Sequence, residues 1–125
     1  MDFLGTFSVA GTGMDAQSRR LRVIAENMAN ADTPGYRRKQ LSFEEAAQQG
    51  GVAVRGVTLD EAPLVRIHDP SHPLADAEGY RDGSNVSLVV EVADAREAQR
   101  SYEANLRLFD QARQMSSALL DLLKR

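Results

Sequence analysis

Apolar side chains recur at alternating intervals of four and three residues at both ends of this chain, the spacing of a heptad seam on a helix. Near the N-terminus the series runs Phe3, Phe7, Ala10, Met14, then Gln17 as its one polar member, then Leu21, Ile24 and Met28. Its first half is rich in Gly, Thr and Ser, each of which weakens a free helix, so those turns are expected to be helical only when packed against something. From Met14 to Met28 the good helix formers Ala16, Arg19, Arg20, Leu21, Arg22 and Glu26 take over. The helix should stop near Asn30, because Asp32, Thr33, Pro34 and Gly35 follow: proline pushes Thr33 out of the helical region and Gly35 tolerates a positive φ.

The C-terminal seam reads Ala95, Ala98, Tyr102, Asn105, Phe109, Ala112, Ser116, Leu119 and Leu123, widened by Leu106, Met115, Leu120 and Leu122. No Gly or Pro occurs after Asn85, so a helix is predicted from residue 86 to the end, nearly ~60 Å long. Glu103 with Arg107, and Asp110 with Arg113, are spaced to pair on its outer face, and Lys124 and Arg125 suit its C-terminal dipole.

Between the seams, Tyr36, Arg37, Arg38, Lys39 and Gln40 lead into a polar stretch through Gly50 and Gly51 that reads as a mobile loop. Val52 and Val54 alternate with Ala53 and Arg55, and Val57 to Leu59 and Leu64 to Ile67 are further β-prone runs, so a small hairpin is expected over residues 52–67. Pro70, Pro73, Gly79 and Gly83 make residues 69–85 an extended, irregular connector. The predicted fold is therefore mainly α: two long terminal helices packed as a coiled-coil-like pair, with a small β-hairpin and an irregular extended arm inserted between them. Residues 1–30 form the N-terminal helix of an inner domain, 31–85 the turn, hairpin and connector, and 86–125 the C-terminal helix of that domain.

Two helices leave much of so wide an apolar face uncovered, and the remainder needs partners. A heterologous contact that does not close on itself makes a tube or filament. The lone subunit is then expected to be marginal, with termini loose until assembly. A plain α-helical hairpin, stable as a monomer or dimer, is the alternative that the heptads alone allow.

Composition narrows the field. A chain of 125 residues with 42% hydrophobic content builds one modest core or one long seam. With 15 basic against 18 acidic residues the net charge is -3, which gives no general attraction for nucleic acid and little for a membrane surface. The absence of cysteine removes disulfides, thiolate metal sites and thiol nucleophiles. The N-terminal Met1, Asp2, Phe3, Leu4, Gly5 lacks the bases of a cleavable secretion signal, and no run reaches the ~20 apolar residues of a membrane span. On these grounds the chain stays in the cytoplasm unless a route other than general secretion exports it, and no direct membrane insertion is expected.

The candidate chemistry is sparse. His68 and His72 stand four apart with Asp69 adjacent, but Pro70 and Pro73 forbid the helix that would aim both at one metal ion. Ser71, His72 and Asp76 come without a nucleophile elbow, and Glu44 with Glu45, or Asp60 with Glu61, without the apolar surroundings that raise a carboxylate's pKa. Arg19, Arg20 and Arg22, and Arg37, Arg38 and Lys39, form two basic clusters with no aromatic platform, better suited to acidic faces of neighbouring subunits or to solvent. No catalytic residue, metal, cofactor or small-molecule substrate is expected.

The run Asn27, Met28, Ala29, Asn30, Ala31, Asp32, Thr33, Pro34, Gly35, Tyr36 resembles the signature that flagellar rod and hook proteins share near their N-termini. Asn27 and Asn30 lie one turn apart at the helix end, where their amides can bond frayed carbonyls, and Thr33 to Tyr36 redirect the chain with Tyr36 as an anchor. The run Asp69 to Tyr80 with Asn85 and Val86, and the run Arg100, Ser101, Tyr102, Glu103, Ala104, Asn105, are similar to segments of the proximal-rod members of the flagellar basal-body rod protein family. The departures are Val90 and Val92, where that family carries an acid and a methionine, and the divergent stretch 40–67.

The resemblance implies a structural subunit of the proximal rod of the bacterial flagellum that transmits torque. It implies export through the flagellar type III apparatus without a cleaved signal, and assembly in the periplasm with copies of itself and other rod subunits. Phe3, Phe7, Met14, Leu21, Ile24, Met28, Tyr102, Phe109, Leu119 and Leu123 would pack in the assembly. The turn residues Asn27, Asn30, Thr33, Pro34, Gly35 and Tyr36 would set the angle between inner helix and outer piece. Asp69, Pro70, His72, Pro73, Gly79 and Tyr80 would contact adjacent subunits. Another rod or hook-junction subunit, or a cytoplasmic helical-hairpin adaptor, remain the alternatives.

Overall fold

The Asp2 side chain opens the first helix by accepting from the Gly5 N–H at 2.9 Å, which satisfies one of the amides that a helix start leaves free. From that cap α1 runs unbroken over Phe3–Ala29 in the computed structural model, which describes residues 2–48 and 50–125. The order continues with β1 (Lys39–Glu45), β2 (Val52–Leu59), β3 (Arg66–His68), β4 (Tyr80–Asp82) and α2 (Leu88–Leu123). Two long helices thus pack on each other, with two antiparallel hairpins between them in sequence.

The helices run antiparallel: Phe7 meets Phe109, Gly13 meets Asn105, and Asn27 meets Glu91. The glycine-rich early turns are helical where they find packing, and the Phe7 and Phe109 rings lie 4.9 Å apart with a 60° tilt. The buried apolar residues are Ala10, Ala16, Ile24, Ala98 and Ala112. Gly13 is buried with them, and side chains this small let the two backbones approach closely. A Cβ on Gly13 would come within 2.7 Å of the Asn105 amide, which is held by its own bond to the Ser101 carbonyl at 2.9 Å.

Of the larger seam residues, Ile24 is buried, whereas Phe3, Phe7, Met14, Leu21, Tyr102 and Phe109 are half-buried. Met28, Leu119 and Leu123 are exposed. In this register α2 outruns the start of α1, and Leu119, Leu120, Leu122 and Leu123 are 47 to 75% exposed. Of the two outer-face ion pairs expected on α2, Asp110 and Arg113 meet at 4.0 Å, and Glu103 and Arg107 make no ion pair among the described residues. Among the described residues no helix is long and apolar enough to cross a membrane.

The strand pairing differs from the sequence expectation. Residues 52–59 pair with β1, which lies in the stretch read as a mobile loop, and not with residues 64–67. The overlooked signal is the alternation of Leu41 and Phe43, both half-buried, which the flanking Gln and Glu residues obscure. Ser42 faces Gly56 and Phe43 faces Val54, so Arg55 is the extra residue of a bulge. The hairpin lies along α1. At one end Thr12 Oγ1 accepts from the Val52 N–H at 3.1 Å, and at the other Asn27 holds Lys39. The stretch of α1 from Thr12 to Asn27 is ~22 Å long, which a strand of 7 residues matches at ~23 Å.

Residues 64–67 belong instead to the second hairpin, where Ile67 faces Arg81 and Val65 extends the ladder through bonds with Gly83 and Ser84. The connector predicted as irregular is in part the loop of this hairpin, tightened by the His72 N–H to the Asp69 carbonyl and the Gly79 N–H to the Asp76 carbonyl, each at 3.0 Å. Gly79 has φ +87, and a Cβ there would lie 3.0 Å from Pro70, so glycine answers both demands. The hairpin docks on the turn after α1 through the Gly35 N–H to the Gly83 carbonyl at 3.1 Å, and the Ser84 hydroxyl donates to the Ala31 carbonyl.

Candidate functional site

Asn27 is the point at which the helix pair meets the first hairpin, and all of its hydrogen-bonding capacity is used. Its Oδ1 accepts from the Lys39 N–H at 2.9 Å and from the Tyr36 hydroxyl at 2.8 Å. Its Nδ2 donates to the Lys39 carbonyl at 2.8 Å and towards Glu91 at 3.4 Å. The buried amide thereby serves both backbone groups of Lys39 as a neighbouring strand would. The role of bonding frayed helix carbonyls falls to Asn30 alone: its Nδ2 donates to the Glu26 carbonyl at 2.8 Å, while its Oδ1 accepts from Thr33 at 3.1 Å. Gly35 adopts φ +75 in the turn that follows.

Arg38 draws the remaining elements to the same place. Its Nε donates to the fully buried Glu91 carboxylate, Nη2 to Asp94 at 2.8 Å, and Nη1 lies 3.6 Å from Asp60. Its backbone N–H donates to Asn85 Oδ1 at 2.6 Å, and Asn85 Nδ2 donates in turn to the Asp60 and Ala62 carbonyls at 2.9 and 3.0 Å. Arg37 reaches the same two carbonyls, each at 3.2 Å. Burial works against the Arg38 cation, but the Glu91 hydrogen bond and the charges of Glu91, Asp94 and Asp60 outweigh it and raise its pKa. Burial, followed by the Glu26 charge, pushes the Tyr36 phenol up.

The basic clusters expected to face neighbours or solvent are thus partly spent within the chain. Arg20 lies 3.6 Å from Glu97 and 3.8 Å from Asp94, Lys39 bonds Glu26 at 2.5 Å, and Arg19 pairs with Asp15 at 3.1 Å. An open cleft of about 160 Å³ between Arg20, Arg38, Lys39, Glu91 and Asp94 is lined by charges that already have partners, Lys39 in Glu26 and the others in one another. Arg38, expected to meet a neighbouring subunit or solvent, is instead held by Glu91 and Asp94 of its own chain, and Glu91 stood in no expectation from the sequence. One signal was present: continuing the C-terminal seam four residues back from Ala95 lands on Glu91, a carboxylate at a core position.

The connector residues Asp69, Pro70, His72, Pro73, Gly79 and Tyr80 gather on the second hairpin, away from this hub. Asp76 organises them: its Oδ1 accepts from the Tyr80 and Glu78 N–H groups at 2.8 and 3.0 Å, and its Oδ2 meets Arg66 at 2.5 Å. The Tyr80 amide first, then Arg66 and the Glu78 amide, hold this carboxyl below the usual range. Arg66 also pairs with Asp82 at 2.9 Å and stands 5.8 Å over the Tyr80 ring, which His68 meets edge-on at 4.8 Å. His72 Nδ1 accepts from the Leu74 N–H at 3.1 Å, and Ser71 donates to Asp69 at 3.3 Å, so Ser71, His72 and Asp76 do not line up as a triad. Among the described residues no three His, Asp or Glu side chains converge as metal ligands.

The first helix with its turn, and the C-terminal helix, fall largely within segments that match known protein families. The family described as flagella basal body rod protein matches residues 7–37, and the family described as flagellar basal body rod FlgEFG protein C-terminal matches residues 77–122. The flagellar basal-body rod protein FlgC of Agrobacterium fabrum is 43% identical over 136 residues, covering 99% of this chain and 98% of the relative. FlgC of Escherichia coli O6:H1 is 39% identical, with 98% of each chain covered, and FlgC of Buchnera aphidicola from Acyrthosiphon pisum is 35% identical over 92% of this chain and 93% of its own. With both helices and the turn between them inside these matches, the chain belongs to the FlgC family of flagellar basal-body rod proteins.

Proposed function

We propose that this protein is a structural subunit of the proximal rod of the flagellar basal body, polymerising through its terminal helices with copies of itself and with other rod subunits. The observation that carries the reading is the leucine-bearing end of α2, where Leu119, Leu120, Leu122 and Leu123 cover a wide arc of the helix and stay 47 to 75% exposed. An apolar arc of that width belongs in a protein interface and not in water. The names of the relatives supply the setting: each is a basal-body rod protein.

In this role the work is mechanical and requires no catalytic residue, cofactor or metal. Residues 1–30 and 86–125 act as the inner domain, whose outward apolar surface is covered by neighbouring subunits. The hub of Asn27, Tyr36, Arg38 and Glu91 ties that domain to the hairpins, so a load on one is passed to the other. Asp69, Pro70, His72, Pro73, Gly79 and Tyr80 present the second hairpin to adjacent subunits. The subunit reaches the periplasm through the flagellar export apparatus, without a cleaved signal.

The test is a chain ending at Ser116, expressed in a strain lacking the full-length protein. The helix pair up to that point stays folded, as judged by helix content and melting, whereas motility and the rod seen in isolated basal bodies are lost. Normal rods built from the shortened chain would overturn the reading.

A further inference from the structure

The seam between α1 and α2 discriminates weakly between registers, because most of its buried side chains are small. Among the described residues its buried positions are Ala10, Gly13, Ala16, Ala98 and Ala112, with Ile24 the one larger apolar side chain buried to that degree. A slide of one heptad, ~10 Å along the axis, keeps small residues against small residues over much of the seam but gives up the Phe7–Phe109 ring contact. It would set Tyr102 or Ser116 against Phe7 in place of Phe109, and Ala98 or Ala112 against Gly13 in place of Asn105. The largest fully buried side chains, Glu91 and Asn27, are both polar and face each other. The same slide carries Glu91 out of reach of Arg38 and leaves a buried charge and a buried amide without partners, which apolar packing does not offset.

We infer that the cluster of Asn27, Arg38 and Glu91 is the register lock of the helix pair. It selects one alignment among several that the small-residue seam accepts, as a single polar core residue does in coiled coils. The lock also sets how far the leucine-bearing end of α2 projects past the start of α1. That consequence for assembly rests on the proposed rod role, whereas the lock itself is a property of the isolated chain.

The chain contains no cysteine, so reporter pairs can be introduced cleanly. Phe7→Cys is combined with Phe109→Cys, Tyr102→Cys or Ser116→Cys in the full-length protein, and linking by a short bifunctional thiol reagent is timed. With the hub intact the Phe109→Cys pair links at least about tenfold faster than the other two. With Asn27→Leu, Arg38→Met and Glu91→Leu combined, helix content persists and the preference falls below about threefold. An apolar variant that keeps the native preference would assign register to the hairpins and overturn the inference. Loss of helix content in that variant would also overturn it, since the cluster would then be a stability element. Equal linking of all three pairs with the hub intact would overturn it as well. Rod formation enters none of these readings, so failure of the lock and failure of the assembly role are distinguishable.

Discussion

The Arg38 guanidinium closes on the Glu91 carboxylate across 53 residues of sequence, and Glu91 is wholly inaccessible to water. Arg38 arrives just before β1, and Glu91 stands in the first turn of α2. This one ion pair therefore joins the segment that leaves the first helix to the segment that begins the second.

The two sides of the pair are unequal. Arg38→Ala leaves Glu91 buried with no cation, and a cost of about 3–5 kcal/mol is expected. Glu91→Ala leaves Arg38 with Asp94 at 2.8 Å and Asp60 at 3.6 Å, so a smaller loss of about 2 kcal/mol is expected. Urea unfolding of the two variants compares them directly, and an inverted order would contradict the assignment.

Gly13→Ala sets helix propensity against packing. Alanine gains ~1 kcal/mol in a helix interior, but its Cβ displaces an Asn105 amide that bonds Ser101, and overpacking of this kind costs ~1–3 kcal/mol. The substitution should destabilise the protein by about 1 kcal/mol. With Asn105→Ala already present, the same change should stabilise it by up to ~1 kcal/mol. The sign reversal is read from a double-mutant cycle in melting or urea curves.

The second hairpin should respond to acid. Because the folded state holds the Asp76 carboxyl below its ordinary value, Asp76 contributes fully above the usual carboxylate range, and its contribution disappears as pH falls through the lowered value. Protection of the Tyr80 and Glu78 amides, taken relative to their intrinsic exchange rates at each pH, should fall over that acid window. Asp76→Asn, which loses the charge facing Arg66, should weaken the hairpin and flatten the response.

Thr12→Val removes the hydroxyl that accepts from the Val52 N–H while preserving side-chain shape. The tip of the first hairpin should lift from α1 at a cost of ~0.5–1.5 kcal/mol. Faster amide exchange at Val52, with no change at the Asn27 end, is the expected signature.

Much of the architecture is legible in the sequence because its signal is periodic. The four-three spacing from Phe3 to Met28 and from Ala95 to Leu123 marks both helices, and Thr33, Pro34 and Gly35 mark the turn by local backbone preference alone. Strand pairing is not local. The run 52–59 is β-prone with either neighbour, and its pairing with 39–45 is made where both strands lie against α1.

The amino-acid sequence by itself determined where the helices lie, where the first one stops and that their apolar stripes exceed what two helices can cover. Tertiary structure alone decided that Asn27 acts as a strand partner for Lys39, and that Arg38 and Glu91 are interior groups and not solvated charges. The physical reason is that periodicity and turn preference act between near neighbours in the chain. A buried charge is tolerable only once a distant segment brings its counter-charge, and that pairing exists only in the folded molecule.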